Sequence, residues 1–276
     1  MKKIATGFFV LAMAASFAIQ AFAAAPLFVE DFNYTAPSGL AGQGGWAAHS
    51  GAGTNPQTVN TPGLTYLGYP SSGIGNLLGP LATSGEDTNH GFTAVTAGSV
   101  YAALMVNEVS AQTAGDYFFH FFDGPIASNL FRARIFVKKD ASTTNYAFGL
   151  QSSSAAGSLV YTPFIYAPGS THLLVLKYTY NPNVAPAAPD DAVSLFIDPV
   201  VGCTEPAATL TTVTTTLEID AISIDGVAIR QGSAANAASV KVDGIRVANN
   251  WGDAVSICGG SPTHSSSWGQ IKSLYR

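Results

Sequence analysis

The chain has little charge. Only 11% of its 276 residues are Asp, Glu, Lys or Arg, and 12 basic residues stand against 17 acidic ones. So few like charges exclude a chain kept unfolded by self-repulsion. The absence of a cluster of Lys and Arg argues against nucleic acid as a partner, because phosphate binding needs clustered positive charge. Hydrophobic residues make up 47% of the chain, which is enough for one large core.

Cysteine and histidine are also scarce. The five histidines stand singly, and the only two cysteines are Cys203 and Cys258. Two cysteines and single histidines do not form a four-ligand zinc site of Cys and His. Both cysteines lie in segments that contain Gly or Pro and are typical of loops. A single disulfide between them is predicted, with two unpaired thiols as the alternative.

Long stretches of helical period are missing as well. From Leu27 onward, short β-branched and aromatic runs are cut by Gly, Pro, Asn and Ser, which predicts an all-β domain of two packed antiparallel sheets. Residues 39–88 are rich in Gly, Ser and Pro and are predicted to be mostly loops. The candidate strands are residues 27–34, 99–108, 117–122, 130–138, 146–151, 159–166, 171–180, 192–197, 217–224, 227–231 and 240–247.

Three strands carry more specific patterns. In 130–138, Phe131 and alternate residues from it are apolar, while Arg132, Arg134 and Lys138 share the other face, which is expected to point outward. Residues 117–122 and 173–176 are apolar on both faces, which is typical of a strand covered on both sides or of a ligand-facing aromatic surface. In 240–247 the apolar face changes at Gly244, which predicts a one-residue bulge.

The N-terminus has the pattern of an export signal. Lys2 and Lys3 precede the apolar residues 4–19, and Ala21 and Ala23 supply the small residues of a cleavage site. The alternative, a membrane span, fits poorly because no basic flank follows the run. The predicted organisation is a signal peptide in 1–23, a sandwich domain in 24–255, and a linker with a short tail in 256–276. We therefore expect a secreted or cell-surface protein that does not span the membrane once the signal is removed.

The segments EDFNY at residues 30–34 and VDGIRV at residues 242–247 resemble secreted bacterial jelly-roll modules of the concanavalin A-like and laminin G-like kind. GWAAHSGAGTNP at 45–56 and SGED at 84–87 belong to the same likeness. The resemblance implies a two-sheet jelly roll and a binding, adhesive or surface-structural role. The closing SWGQIKSLYR is similar to short tails on exported proteins, which implies a sorting or attachment signal.

Jelly-roll sandwiches of this kind also include glycoside hydrolases with an E-x-D-x-E or E-x-D-x-x-E strand. Glu218 and Asp220 match its first half, but Ile222 and Ser223 stand where the last carboxylate belongs. Retaining hydrolysis needs two carboxyl groups about 5 to 5.5 Å apart. No G-x-S-x-G elbow is present for a serine nucleophile. We therefore expect no enzyme activity, and a hydrolase stays the alternative.

Aromatic residues are the candidates for contact with a sugar, because their faces stack on its apolar C–H surface. The loop residues Trp46, Tyr66, Tyr69 and Trp251 and the strand residue His120 are predicted to bind ligand. The alternatives are that the loop aromatics cover the ends of the sandwich and that His120 is a hydrogen-bonded core residue. A polysaccharide or a component of the cell surface is the expected partner. A structural surface protein without a ligand is the competing hypothesis.

No metal or organic cofactor is required by the sequence, but calcium binding is possible. Calcium favours carboxylate and carbonyl oxygens. The acidic pairs that could supply them are Glu86 with Asp87, Asp190 with Asp191, and Glu30 with Asp31. None has the spacing of an EF-hand loop. Turn or capping roles are the alternative for each pair.

Overall fold

The structure, a computed structural model, describes residues 25–153, 158–181, 189–214 and 219–256. The predicted signal peptide, most of the linker and the tail lie outside this part of the chain and stay predictions, as does the domain boundary. None of the helices in the described part is long and apolar enough to cross a membrane.

Strands make up nearly all the regular structure. A 3-10 helix spans Ile126–Ser128, and the short helix α1 spans Trp251–Val255. The strands are β1 (Phe28–Glu30), β2 (Ser38–Gly39), β3 (Ala47–Ser50), β4 (Thr58–Asn60), β5 (Leu77–Leu78), β6 (Asp87–Val95), β7 (Ser99–Ser110), β8 (Asp116–Phe122), β9 (Phe131–Lys139), β10 (Tyr146–Gln151), β11 (Val160–Tyr161), β12 (Thr171–Thr179), β13 (Ala192–Ile197), β14 (Leu210–Val213), β15 (Ile224–Ile229) and β16 (Ser239–Ala248).

The strands form two antiparallel sheets. Sheet A has the order β14-β13-β12-β7-β16-β5-β4-β2, with β1 also paired to β16. Sheet B has the order β11-β10-β9-β8-β15-β6-β3. Side chains from both sheets meet in one hydrophobic core that contains Leu104 and Leu176 of sheet A and Phe119 and Ile135 of sheet B. The predicted all-β class with two antiparallel sheets is confirmed.

Most long strands lie where the sequence predicts them, and β10 and β13 have the predicted bounds. The region 39–88 contains β2 to β5 and the first residues of β6, where mainly loops were predicted. These strands are short or largely polar, so they carry no apolar alternation. The prediction of a strand over 217–224 is wrong for its described residues, because β15 begins only at Ile224.

Sheet A is buried on both faces. Leu174 and Leu176 of β12 point into the core between the sheets, whereas Leu173 and Val175 belong to a second core on the outer face. The covering residues come from the loop after β4, the segment after β13 and helix α1, and they include Tyr69 and Trp251. The doubly apolar pattern of 173–176 therefore reflects a strand covered on both sides.

Sheet B is covered on one face only. Phe119 and Phe121 of β8 point into the main core, while Tyr117 and His120 lie on the opposite face of the same strand. No second hydrophobic core lies over this opposite face in the described ranges. We call it the open face of sheet B.

Several strand pairs contain register shifts, and two bulges bear on the predicted faces of β16 and β9. The bulge predicted at Gly244 is confirmed, since the register of β16 against β7 shifts between Asp243 and Arg246. A second, unpredicted bulge lies at Ala133, where φ is 48° and the register against β8 shifts. It overturns the expected outward orientation of Arg132, which pairs with Phe121 on the core side, whereas Arg134 lies on the outer face as predicted.

Arg132 is consequently buried with a carboxylate. Its guanidinium lies 3.2 Å from Asp123, and both side chains are 4% exposed. The same carboxylate accepts hydrogen bonds from the backbone N–H groups of Ile222 and Ser223. Asp123 therefore ties β9 to the segment that leads into β15.

We predict that Asp123→Ala lowers the free energy of unfolding by about 3 to 5 kcal/mol, because it leaves a buried guanidinium without its partner. Urea denaturation of the full chain measures the change. The exposed Asp140, which caps a turn through Ser142, provides the control variant Asp140→Ala, for which a small effect is expected. Equal effects of the two variants would show that the buried ion pair does not stabilise the fold.

Two buried carboxyl groups make stability depend on pH. Burial raises the pKa of Glu108 to about 7 and that of Asp243 to about 8. A carboxyl group whose pKa is higher in the folded than in the unfolded state contributes stability that is fully present below the unfolded value. That stability is lost as the pH rises through the folded value.

Glu108→Gln should therefore flatten the dependence of stability on pH between about pH 5 and pH 8. The wild-type chain should lose more stability than this variant over the same interval, as measured by chemical denaturation at each pH. Parallel curves for the two proteins would contradict the raised pKa of Glu108.

Candidate functional site

Small residues allow aromatic rings to lie flat on the open face of sheet B. A side-chain carbon at Gly149 would come within 2.6 Å of the Tyr161 ring, and one at Gly226 would come within 2.2 Å of the Phe122 ring. The Phe136 ring lies 6.3 Å from that of Tyr161. These contacts give the face an apolar, aromatic floor.

Two guanidinium groups converge on Tyr117 at this face. The Cζ atoms of Arg134 and Arg230 lie 4.6 Å and 4.3 Å from the centre of the Tyr117 ring. Arg230 also pairs with Asp116 at 2.7 Å. Tyr117 thus lies within cation–π distance of both guanidinium groups.

Arg134 lies on the open face, as its alternation with the core residue Ile135 requires. It pairs with His120 across the strands, and only 8% of the residue is exposed. Its guanidinium donates to Gln151 Oε1 at 2.6 Å and to the Ser153 carbonyl oxygen at 3.1 Å. Burial lowers the pKa of Arg134. Arg134 has no carboxylate within salt-bridge distance among the described residues.

His120 lies beneath this group. It is 0% exposed, and its ring lies 4.3 Å from that of Phe131. Nδ1 forms a hydrogen bond with the Phe121 carbonyl at 2.9 Å, and Nε2 has no hydrogen-bond partner within the described ranges. The pKa of His120 is lowered to about 3, mainly by burial and additionally by the charges of neighbours such as Arg134 and Arg230. The imidazole is therefore neutral at physiological pH.

The loop aromatics predicted to bind ligand do not gather on one surface. Trp46 is 1% exposed and donates its indole N–H to Glu30 at 2.8 Å. Tyr69 and Trp251 are 3% and 4% exposed and belong to the second core over sheet A. Tyr66 packs against that core and is partly buried. Trp46, Tyr69 and Trp251 are therefore buried and could reach a ligand only after a rearrangement. None of the four loop aromatics lies beside His120.

Glu86 with Asp87 and Asp190 with Asp191 lie at two separate places, and Glu30 with Asp31 lies at a third, where Glu30 accepts hydrogen bonds from protein groups alone. Glu86 is buried and accepts the N–H of Gly53, while Asp87 accepts the N–H of Gln231. Asp190 and Asp191 lie together with Asp220, with ligand oxygens within 4.8 Å of one another.

The second place is the one cluster of three or more such residues in the described segments. It borders a cavity of about 470 Å³ that Tyr180 also lines. Its oxygens already accept hydrogen bonds, since Asp220 binds the N–H groups of both other aspartates and Asp191 binds the Tyr178 hydroxyl. Calcium binding therefore stays a prediction from the sequence.

The hydrolase pattern is only partly within the described chain. Glu218 lies outside it. Asp220 precedes β15 and accepts the Thr214 hydroxyl at 2.7 Å, in addition to the two backbone N–H groups. It does not project from a strand of the open face. Cys258 likewise lies outside the described residues, so the disulfide with Cys203 stays a prediction.

Sequence reasoning found His120 but missed Tyr117, Arg134, Gln151 and Arg230. The basic residues of β9 and the aromatic run of β8 were visible as patterns. The missing information was their pairing, because Arg134 meets Tyr117 and His120 only through the β8 to β9 register. Gln151 comes from β10 on the other side of β9.

No protein-family model matches the chain, and no curated protein matches it in sequence. Among solved structures, it is similar to a mutant of the alginate lyase Aly36B in complex with alginate tetrasaccharide, with 15% identity and a TM-score of 0.48 over 82% of this chain and 98% of that one. It is also similar to the globular domain of T. cruzi calreticulin, with 10% identity and a TM-score of 0.48 over 91% and 98%.

A third similar structure is the carbohydrate recognition domain of Emp47p, with 10% identity and a TM-score of 0.44 over 81% of this chain and 95% of that one. Identities this low and TM-scores below 0.5 assign neither a ligand nor a reaction to this protein.

We predict that His120 stays neutral between about pH 8 and pH 5, since its pKa is lowered to about 3. The stability gained by keeping this imidazole neutral is present above about pH 6.5 and is lost as the pH falls toward 3. An NMR titration of the histidine side chains, with His120→Asn to assign the signal, measures the pKa. A His120 midpoint near 6.5 would contradict the burial that the structure shows.

Proposed function

We propose that this chain is a secreted, non-catalytic recognition module that binds a polysaccharide on the open face of sheet B. One observation carries the proposal: no second hydrophobic core lies over this face in the described residues, and the face holds a group of aromatic rings and polar side chains around Tyr117. Sheet A offers no such surface in the described residues, because the second core covers its outer face.

The residue types suit a carbohydrate. The rings of Tyr117 and Tyr161 can pack against the apolar C–H surface of a sugar. The guanidinium groups of Arg134 and Arg230 supply hydrogen-bond donors for its hydroxyl groups. Most of these side chains are half-buried or buried and held by neighbours, which lowers the entropy that binding must overcome.

Secretion belongs to the proposal and rests on the residues of the N-terminal signal pattern, Lys2 and Lys3 followed by the apolar run and Ala21-Phe22-Ala23. The hydrolase alternative gains no support from Asp220, whose carboxylate is occupied by backbone and hydroxyl donors. A purely structural role is the remaining alternative, and it requires that the open face bind no glycan.

Tyr117→Ala should abolish binding on a polysaccharide array, since it removes the ring on which both guanidinium groups pack. The matched control is Tyr66→Ala, which changes a tyrosine of the loop over sheet A instead. We expect that control to bind like the wild type. Circular dichroism and thermal melting verify that both variants fold.

Two results would contradict the proposal. A wild-type chain that retains no polysaccharide on the array would favour a structural protein. Loss of binding in Tyr66→Ala but not in Tyr117→Ala would move the site to the loops over sheet A.

A further inference from the structure

We infer that the polysaccharide bound by the open face of sheet B is acidic, and that Arg134 receives its anionic group. The inference rests on the proposed function and specifies its ligand class. A uronate carboxylate and a sulfate ester share the required chemistry, which is a negatively charged group whose oxygens accept hydrogen bonds from a guanidinium.

Arg134 has a buried, positively charged guanidinium that donates its hydrogen bonds to neutral acceptors. They are the side-chain oxygen of Gln151 and the backbone oxygen of Ser153. A cation taken out of water is costly unless a charge of the opposite sign compensates it. In Arg132, two residues earlier, that compensation is present as Asp123. For Arg134 a ligand can supply it.

Further positive charge surrounds Arg134. Arg230 shares the ring of Tyr117 with it, and the Nζ atom of Lys138 lies 5.5 Å from the centre of the Tyr161 ring. The acidic groups nearest this surface are already engaged, since Asp116 pairs with Arg230 and Asp87 accepts the N–H of Gln231. The chain as a whole carries a net charge of −5. The open face therefore attracts anions locally, against the charge of the whole molecule.

A neutral imidazole beneath the cations is consistent with this electrostatic arrangement. His120 adds no charge at physiological pH, so the positive potential comes from side chains that reach the surface. An acidic sugar would meet the aromatic floor with its C–H groups and Arg134 with its anionic group. A neutral sugar would leave Arg134 with Asp116, which lies beyond ion-pair distance and pairs with Arg230, as its source of opposite charge.

The test measures binding of the full mature chain to polyuronates and to their carboxyl-reduced counterparts by affinity electrophoresis. A sulfated galactan and its desulfated form make a second pair. We expect an acidic polymer of one pair to bind and its neutral counterpart to bind at least about tenfold more weakly. The pair that responds tells whether the anionic group is a carboxylate or a sulfate.

Variants locate the interaction. Arg134→Gln should weaken binding of the acidic polymer about tenfold or more. Lys138→Gln, at a partly exposed position that does not endanger folding, should weaken it about threefold and reduce its dependence on salt. The matched control is the adjacent Lys139→Gln, because Lys139 is exposed and has no contact with the ring of Tyr161. It should bind like the wild type.

The outcomes separate the two proposals. Equal binding of acidic and neutral polymers, unchanged in Lys138→Gln, would overturn the acidic ligand while leaving polysaccharide recognition intact. Equal weakening by Lys138→Gln and Lys139→Gln would show a general charge effect and would also overturn it. Failure of every polymer to bind, neutral or acidic, would overturn the proposed function itself.

Discussion

The alternation of side chains across each strand is the constraint on which this structure depends. Every strand has two faces, and each face must be covered by apolar partners or supplied with groups that tolerate water. In sheet A, β12 is apolar on both faces, and a second core around Trp251 covers the outer one. In sheet B only the inner face is covered, so the outer one is free for polar and aromatic groups. The candidate site lies where the sandwich has no further layer.

A single bulge in β9 places its two arginines on different faces of sheet B. The bulge at Ala133 turns Arg132 toward the core, where Asp123 neutralises it, and leaves Arg134 on the open face among neutral acceptors. Without the bulge both side chains would lie on the same face, as strict alternation requires. The left-handed backbone at a residue with a side chain costs free energy. The strand pairing of β9 with β8 and β10 keeps Ala133 in this conformation. Bulges and strained backbone of this kind are often found near functional sites.

Glu30 and Asp220 show why acidic residues in a sequence pattern do not by themselves define a catalytic centre. Glu30 accepts hydrogen bonds from Trp46, Tyr34 and the N–H of Phe32, and Asp220 accepts them from two backbone N–H groups and a hydroxyl. These carboxylates stabilise loops at the ends of the strands. Acid–base catalysis on a sugar needs instead a pair that faces a substrate cleft at a defined separation. The open face is dominated by cations and neutral rings.

Composition and the two-residue period determined the fold class by themselves, because β-branched and aromatic runs cut by turn residues can bury their apolar faces only in packed sheets. They also predicted the bulge at Gly244, since the apolar parity of β16 changes there. The sequence left open whether β8 was covered on both sides or faced a ligand. Only the tertiary structure showed that no second core lies over the outer face of β8 in the described residues, and that Trp46, Tyr69 and Trp251 are buried. Strand pairing across β8, β9 and β10 brings together residues from positions 117 to 151, and no local pattern encodes which distant strands become neighbours.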